Sequence, residues 1–520
     1  MTQHQSNAPV LVPVGRIGGK LDNDARDYVF APDIYLTLAL SYDSLAAPAA
    51  HVDAQGIHQP DYQLMQPRLA VAWEEQENGD WIVRLRPNVI SHAGNELTAA
   101  DIAWTLDRAT AQGVMGSWRW REVIGVERIE ILDRHTLRYR LRAPYPTFPN
   151  WLLSVSPNIL DSTQIKAHAP RQDPWGVDWL NAHVAGYGGF DLTEMSDERL
   201  VYKSRPGYWA GQVETQAIEL RRFGSRAEAV EALGEPRPVV LVGLNPDETV
   251  GLLKQHDLAV RRTWAGHVSV EIDFACPPFD DVRVRSALAR CTPVDLIIRD
   301  GLLGQGRRWR SPVKSVSQWY SDAGWDYEYD PTQARKLLRE AGYANGFASD
   351  LYIAQRADSV RISEIIAKAW REIGVELTIR DVADAPRAWL PPLFLRMECA
   401  HNLSDPIYDL VHDYAAMNPI FPLPGGEAHV GNWTPRWRKN EEAINRIGAV
   451  LLERDRRIKR RRFDDLQRWL IGFCSSVFIA EGRQVMASNR LVPASLVAPG
   501  SRFYQALNYQ NCTTDYLPAR

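Results

Sequence analysis

The chain has 520 residues, a net charge of −4, 45% hydrophobic residues and 24% charged residues. That length accommodates two or three domains with sizeable cores, and the composition excludes long disorder. The slightly acidic balance leaves no electrostatic footprint for nucleic acid, and no run of about 18 apolar residues offers a transmembrane helix.

Val10 to Val14 reads as a buried strand, ended by the Gly15 to Gly19 loop, whose residues miss the order a phosphate loop requires. A helix is expected from Asp33 to Leu45. Trp81 to Arg86 alternates as a strand, and Thr98-Ala-Ala-Asp101 is a capping box ahead of Ile102, Leu106 and Ala109. Alternating strands follow within 124–142, and Pro144 to Phe148 opens a further helix. Val184 to Leu192 is a glycine-bearing loop, where glycine permits close approach of neighbouring backbone. Residues 227–245 read as a helix and then a strand from Val239 to Leu244, with Asn245-Pro246 as a crossing point into a second unit.

Val268 to Phe274 alternates as a half-buried strand and stops at Pro277-Pro278, because proline donates no N–H to a ladder. Asp280 or Asp281 then caps a helix with Val284, Ala287 and Leu288 on one face. Thr292-Pro293 is a second cap and first-turn proline, and Gly301 to Gly306 is a loop. Asp330-Pro331 opens a helix with the stripe Ala334, Leu337, Leu338 and Ala341, stopped by Gly342. Arg361 to Ile373 is another amphipathic helix before Gly374, and Val375 to Asp381 a strand. Arg454 to Arg462 is the strongest charge run, expected as a solvated helix face with Ile458 and Phe463 turned inward.

The five cysteines at 276, 291, 399, 474 and 512 form no C-x-x-C pair, so buried free thiols are expected rather than a metal site or a disulfide framework. No HExxH, GxSxG or complete dinucleotide fingerprint appears, so no chemistry is assigned to the chain. The first nine residues lack an apolar or basic signal region. On that reading the chain stays in the cytoplasm, or follows a signal that has been removed.

The segment Pro277-Pro-Phe-Asp-Asp-Val-Arg-Val-Arg285 resembles the family 5 extracellular solute-binding proteins, the peptide, opine and nickel receptors of ABC importers. Tyr42-Asp43-Ser44-Leu45, Val184 to Leu192, Arg205-Pro-Gly-Tyr-Trp209 and Tyr329 to Gly342 resemble the same family in order. The resemblance implies an α/β, two-lobed, periplasmic-binding-protein-like fold of class II, cluster C type, with a hinge. Lobe 1 is expected from residues 10–45, 175–245 and 480–520, a subdomain inserted in it from 46–174, and lobe 2 from 246–479. It also implies no cofactor and no metal, a small-molecule or peptide-like ligand, and an ABC permease as partner outside the cytoplasm. A cytoplasmic chain would instead serve as a sensor, an enzyme's partner or an enzyme. A monomer is expected in the absence of a partner.

By that resemblance the ligand-binding candidates are Arg16, Tyr42, Tyr187, Trp389, Glu398, His401, Asn402, Asp405 and Trp433. Glu398-Cys-Ala-His-Asn-Leu-Ser-Asp-Pro406 corresponds to the stretch whose aspartate neutralises a peptide's ammonium in peptide-binding members. That position falls on Asn402, or on His401 with a one-residue slip, and Glu398 is the nearby carboxylate. An uncharged side chain there argues against ordinary peptides, because an unpaired buried ammonium costs several kcal/mol.

Overall fold

The computed structural model describes residues 8–15, 17, 21, 32–52, 58–113, 120, 124–145, 148–149, 159–211, 213, 215–254, 258–315, 317, 319–384, 391–399, 410, 440–493 and 496. The strand Val10–Val14 is buried along its whole length. It lies parallel to Ala217–Arg222, which pairs antiparallel with Arg199–Ser204, and that in turn with Phe190–Met195. The helix Pro32–Ser41 ends short of the expected Leu45. Beyond it, Gly188 donates its N–H to Ser41 O at 3.0 Å. A Cβ on Gly188 would lie 2.5 Å from Leu40 O and 2.6 Å from Tyr42 N, so this glycine is required by close approach.

A second sheet of four strands, in the order Ala70–Glu75, Trp81–Leu85, Thr136–Leu141 and Val126–Asp133, packs with the helix Ala99–Ala111. Its core includes Val83, Leu97, Ile102, Leu106, Leu137, Tyr139 and Phe148. The expected capping box is present: Asp101 accepts the Thr98 N–H at 2.8 Å and the Thr98 hydroxyl at 2.9 Å. Of the helix expected from Pro144, only Phe148 and Pro149 are described as helical.

The largest sheet runs in the order Val240–Leu241, Ser476–Asn489, Leu258–Ile272, Leu393–Cys399, Phe347–Ile353 and Val375–Asp381, with Gly306–Arg308 also on Ser476–Asn489. The last three strands of that order are mutually parallel, and the long central pair is antiparallel. This central ribbon joins two cores. At one end Val268, Val270, Ile272, Val477 and Ile479 pack with Leu288, Ile362 and Trp370. At the other, Val485 and Ala487 pack with Leu11, Val239, Leu244 and Leu252. Between the ends the register shifts from Trp264 to Gly266, where Gly266 faces Gly482. An irregularity flanked by glycines is a point where a sheet bends.

The Pro277-Pro278 segment is a structural lock. Asp281 caps the helix Val282–Arg290, accepting from Arg283 N at 2.8 Å, and Val284, Ala287 and Leu288 are buried. Arg285 is also buried and donates to Phe279 O at 2.8 Å, Phe473 O at 2.7 Å and Cys474 O at 3.1 Å. Phe473 ends the helix Arg456–Phe473, whose last carbonyls have no partner within the helix, so a guanidinium satisfies them.

Three local expectations are corrected. The Thr292 hydroxyl donates back to Leu288 O at 2.8 Å instead of capping the next turn, and Pro293 takes the cap position. The helix expected from Arg361 begins at Ala357. On the arginine-rich helix Lys459 and Phe463 are buried while Ile458 is only half-buried. The helix at Asp330 is as expected: Asp330 accepts from Gln333 N at 2.9 Å, Ala334 and Leu338 are buried, and Gly342 follows with φ +92. Among the described cysteines, 276, 291 and 474 are free, the last two buried. Burial pushes the Cys291 thiol up to about 12 and the Cys474 thiol to about 11.

Candidate functional site

The parallel strands Phe347–Ile353, Val375–Asp381 and Leu393–Cys399 end at one edge of the large sheet. In open α/β sheets ligands bind outside the carboxyl ends of such strands. Strand Leu393–Cys399 ends at this edge, where the described residues stop. Strand Phe347–Ile353 delivers Arg356, whose guanidinium forks onto Asp358, Nε to Oδ1 at 3.0 Å and Nη2 to Oδ2 at 3.0 Å.

Across the sheet, Glu398 stands in register with His267, His267 with Glu481, and Glu481 with Arg307. The Glu481 side chain is 2% exposed. It accepts from Arg307 Nε at 2.6 Å, from Ser315 N at 2.5 Å and from the Ser315 hydroxyl. The His267 ring packs on Trp309 with centroids 4.6 Å apart. Glu481 thereby ties the strand Gly306–Arg308 and the turn at Ser315 to the central ribbon, and Arg307 beside it is about one third exposed.

A second cluster forms where the turn after Ser41 meets Arg205 to Trp209. Asp43, 1% exposed, accepts from Arg68 at 2.6 and 2.9 Å, from Tyr208 OH at 2.6 Å and from Trp209 Nε1 at 2.9 Å. Arg86 sits 4.7 Å over the Trp209 ring. This explains the sequence pattern around Tyr42 and Trp209: a buried carboxylate requires donors on every side.

Beside it, His92 is almost fully enclosed, with Nε2 4.0 Å from Asp191 Oδ1. Neither ring nitrogen reaches hydrogen-bond geometry with a described residue. Burial, reinforced by the Arg205 charge, lowers the imidazole from its ordinary 6.5 to about 4. Arg205 donates to Ile90 O at 2.6 Å, and burial raises the Asp191 carboxyl above its usual range.

Of the sequence candidates, Tyr42 and Tyr187 are both 0% exposed. Tyr42 OH accepts the Ala185 N–H at 3.2 Å. Tyr187 packs in the core that includes the four-stranded sheet, where burial beside Asp101 and Asp161 pushes its hydroxyl well above the usual range. The two share the glycine loop but do not present a common surface. The backbone of Glu398 lies in the sheet; Arg16, Trp389, His401, Asn402, Asp405 and Trp433 fall outside the described residues. Sequence reasoning missed Arg356 and Arg307. The apolar run Leu351 to Ile353 just before Arg356 was the available signal for the first; Arg307 carried none. Among the described residues no group of three metal-ligating side chains occurs, and no helix is long and apolar enough to cross a membrane.

Residues 65–398 match the model of the bacterial extracellular solute-binding proteins, family 5, middle region. The chain is 28% identical over 344 residues to the dipeptide-binding protein of Escherichia coli K12, covering 60% of this chain and 62% of that protein, about three fifths of its length. Its fold is similar to that of the periplasmic binding protein DppA from Helicobacter pylori in complex with a peptide, with TM-score 0.72 and 19% identity over 93% of this chain and 94% of that one. It is equally similar to the binding protein MoaA from A. tumefaciens R10 in complex with mannopinic acid, with TM-score 0.72 and 20% identity over 93% and 95% of the two chains. The two-lobed fold follows from these likenesses, and the match across residues 65–398 shows that this chain belongs to the bacterial extracellular solute-binding proteins of family 5.

Proposed function

We propose that the protein captures a small polar or peptide-like molecule between its two lobes and delivers it to an ABC importer. The observation that carries this reading is the central ribbon. Two long strands, Leu258–Ile272 and Ser476–Asn489, connect two separate cores and are irregular midway, at Gly266 and Gly482. We place the lobe boundary there. The helix Pro246–Leu252 buries Leu252 with Leu11 and Val239, so it moves with the first lobe although Asn245 precedes it. Bending at the ribbon closes the lobes over ligand held at the carboxyl edge of the parallel strands. Arg356 and Arg307 lie near that edge, and by the family resemblance the stretch Glu398 to Asp405 is expected to contribute polar groups, with Asn402 or His401 at the place of a peptide's ammonium.

The test is thermal denaturation with three panels: mixed dipeptides, glutathione, and opines such as mannopinic acid. A ligand at a hundredfold excess over its dissociation constant stabilises by about 2.7 kcal/mol. The reading expects one class to raise the midpoint and Arg356→Ala to weaken that effect. No stabilisation by any class at millimolar concentration would count against it.

A further inference from the structure

Two helices packed at opposite ends of the ribbon are joined by an ion pair. Arg361, on the helix Ala357–Arg371, places Nη1 3.1 Å from Asp247 Oδ1 and Nη2 2.9 Å from Asp247 Oδ2. Asp247 lies in the first turn of the helix Pro246–Leu252. This parallel fork is the strongest geometry available to an arginine and a carboxylate.

Each partner is anchored within its own core. The helix bearing Asp247 buries Leu252 with Leu11 and Val485, and its Glu248 accepts a second fork from Arg226 at 2.8 and 3.0 Å. Arg226 also donates to Val242 O and Gly243 O, each at 3.0 Å. On the other side, Ile362, Ile366 and Trp370 fix the helix bearing Arg361 in the core around Val268 and Leu288. Arg361 Nη2 also donates to Gly301 O at 3.1 Å, and a Cβ on Gly301 would meet Ile362 at 2.7 Å, so that carbonyl is pressed against the same helix. Neither charge can follow the other if the two cores move apart.

We propose that Asp247 and Arg361 form an interlobe latch that sets the resting balance between lobe arrangements, and thereby the ligand affinity, without touching ligand. The inference rests on the hinge reading above. The pair exists only in the arrangement seen here, so it stabilises that arrangement alone. Its side chains are 29% and 48% exposed, which leaves it open to screening by salt. Exposed pairs are worth about 0.2–1 kcal/mol, which converts to a population ratio changed by up to about fivefold.

The experiment uses ligand-free, full-length protein with spin labels at Asp197→Cys and Thr332→Cys, in a background of Cys276→Ser, Cys399→Ser and Cys512→Ser. Pulsed dipolar spectroscopy reads the interlobe distance in the parent, Asp247→Asn, Arg361→Gln, and the exchanged pair Asp247→Arg with Arg361→Asp. The expected result is that either single variant lowers the ratio of the distance seen here to the other distance by up to about fivefold. The exchanged pair restores it, and 1 M salt acts on the parent as the single variants do. Two distances whose ratio is the same in every protein overturn the latch and leave the hinge standing. One unchanging distance in every protein, at low and high salt, overturns the hinge and the latch together.

Discussion

Acidification should loosen the packing of the Ser91 to Gly94 turn on the loop Val184 to Leu192, and His92 is the group responsible. It is enclosed among Arg205, Asp161, Asp191 and the Gly188 backbone, and its backbone N–H is tied to Gly186 O at 3.1 Å. Burial, the largest cause, and the Arg205 charge lower its pKa from 6.5 to about 4. The folded protein therefore keeps a neutral imidazole where the unfolded chain binds a proton. Because the unfolded state binds more protons between those two values, stability is fully present above about pH 6.5 and is lost as the pH falls toward 4. At about 1.4 kcal/mol per pKa unit the whole effect approaches about 3 kcal/mol, of which about 2 kcal/mol falls between pH 7 and pH 5. Urea denaturation of the parent and of His92→Gln at matched pH values isolates it, since other titrating groups are common to both proteins. The parent should lose about 2 kcal/mol more than the variant over that interval. Parallel pH profiles for the two proteins would refute the reasoning.

Gly188→Ala should destabilise by about 1–3 kcal/mol, because its Cβ meets backbone atoms of Leu40 and Tyr42 that cannot rotate away. Gly472→Ala, with nothing within 4 Å, should leave stability in thermal denaturation unchanged or raise it by up to about 1 kcal/mol. Asp43→Asn strands Arg68 beside an uncharged amide and should cost about 3–5 kcal/mol in thermal or urea denaturation. For the ligand, calorimetric titration with a mixed dipeptide library should show weak binding, strengthened at least about tenfold by Asn402→Asp or His401→Asp, since a carboxylate pairs with an ammonium and an amide does not. Submicromolar dipeptide binding by the unmodified protein would sink that idea.

What the sequence made legible is what one or two adjacent residues decide. Asp330 with Pro331, Thr98 with Asp101, and Asp281 each fix a helix start through their own side chains, and Val10 to Val14 is apolar enough to declare a buried strand alone. The first half of strand Leu258–Ile272 was not legible. Arg261, Arg262 and Thr263 alternate in no apolar pattern, and their ladder partners are Met486, Val485 and Gln484, more than two hundred residues away. Lys459 is buried although its sequence position lies in the charge run. The same distance problem hides the polar sites. Asp43 draws its donors from positions 68, 208 and 209, and Glu481 from 307 and 315. Arg307 has no local mark at all; only the sheet register brings it beside Glu481.

Closure of two lobes over a ligand is the central claim, and small-angle X-ray scattering tests it most directly. The protein is measured alone and saturated with whichever dipeptide, glutathione or opine stabilises it most in thermal denaturation. Bending at Gly266 and Gly482 predicts a smaller radius of gyration and a shorter maximum dimension in the saturated sample. A compound bound at full occupancy with both dimensions unchanged would contradict the account.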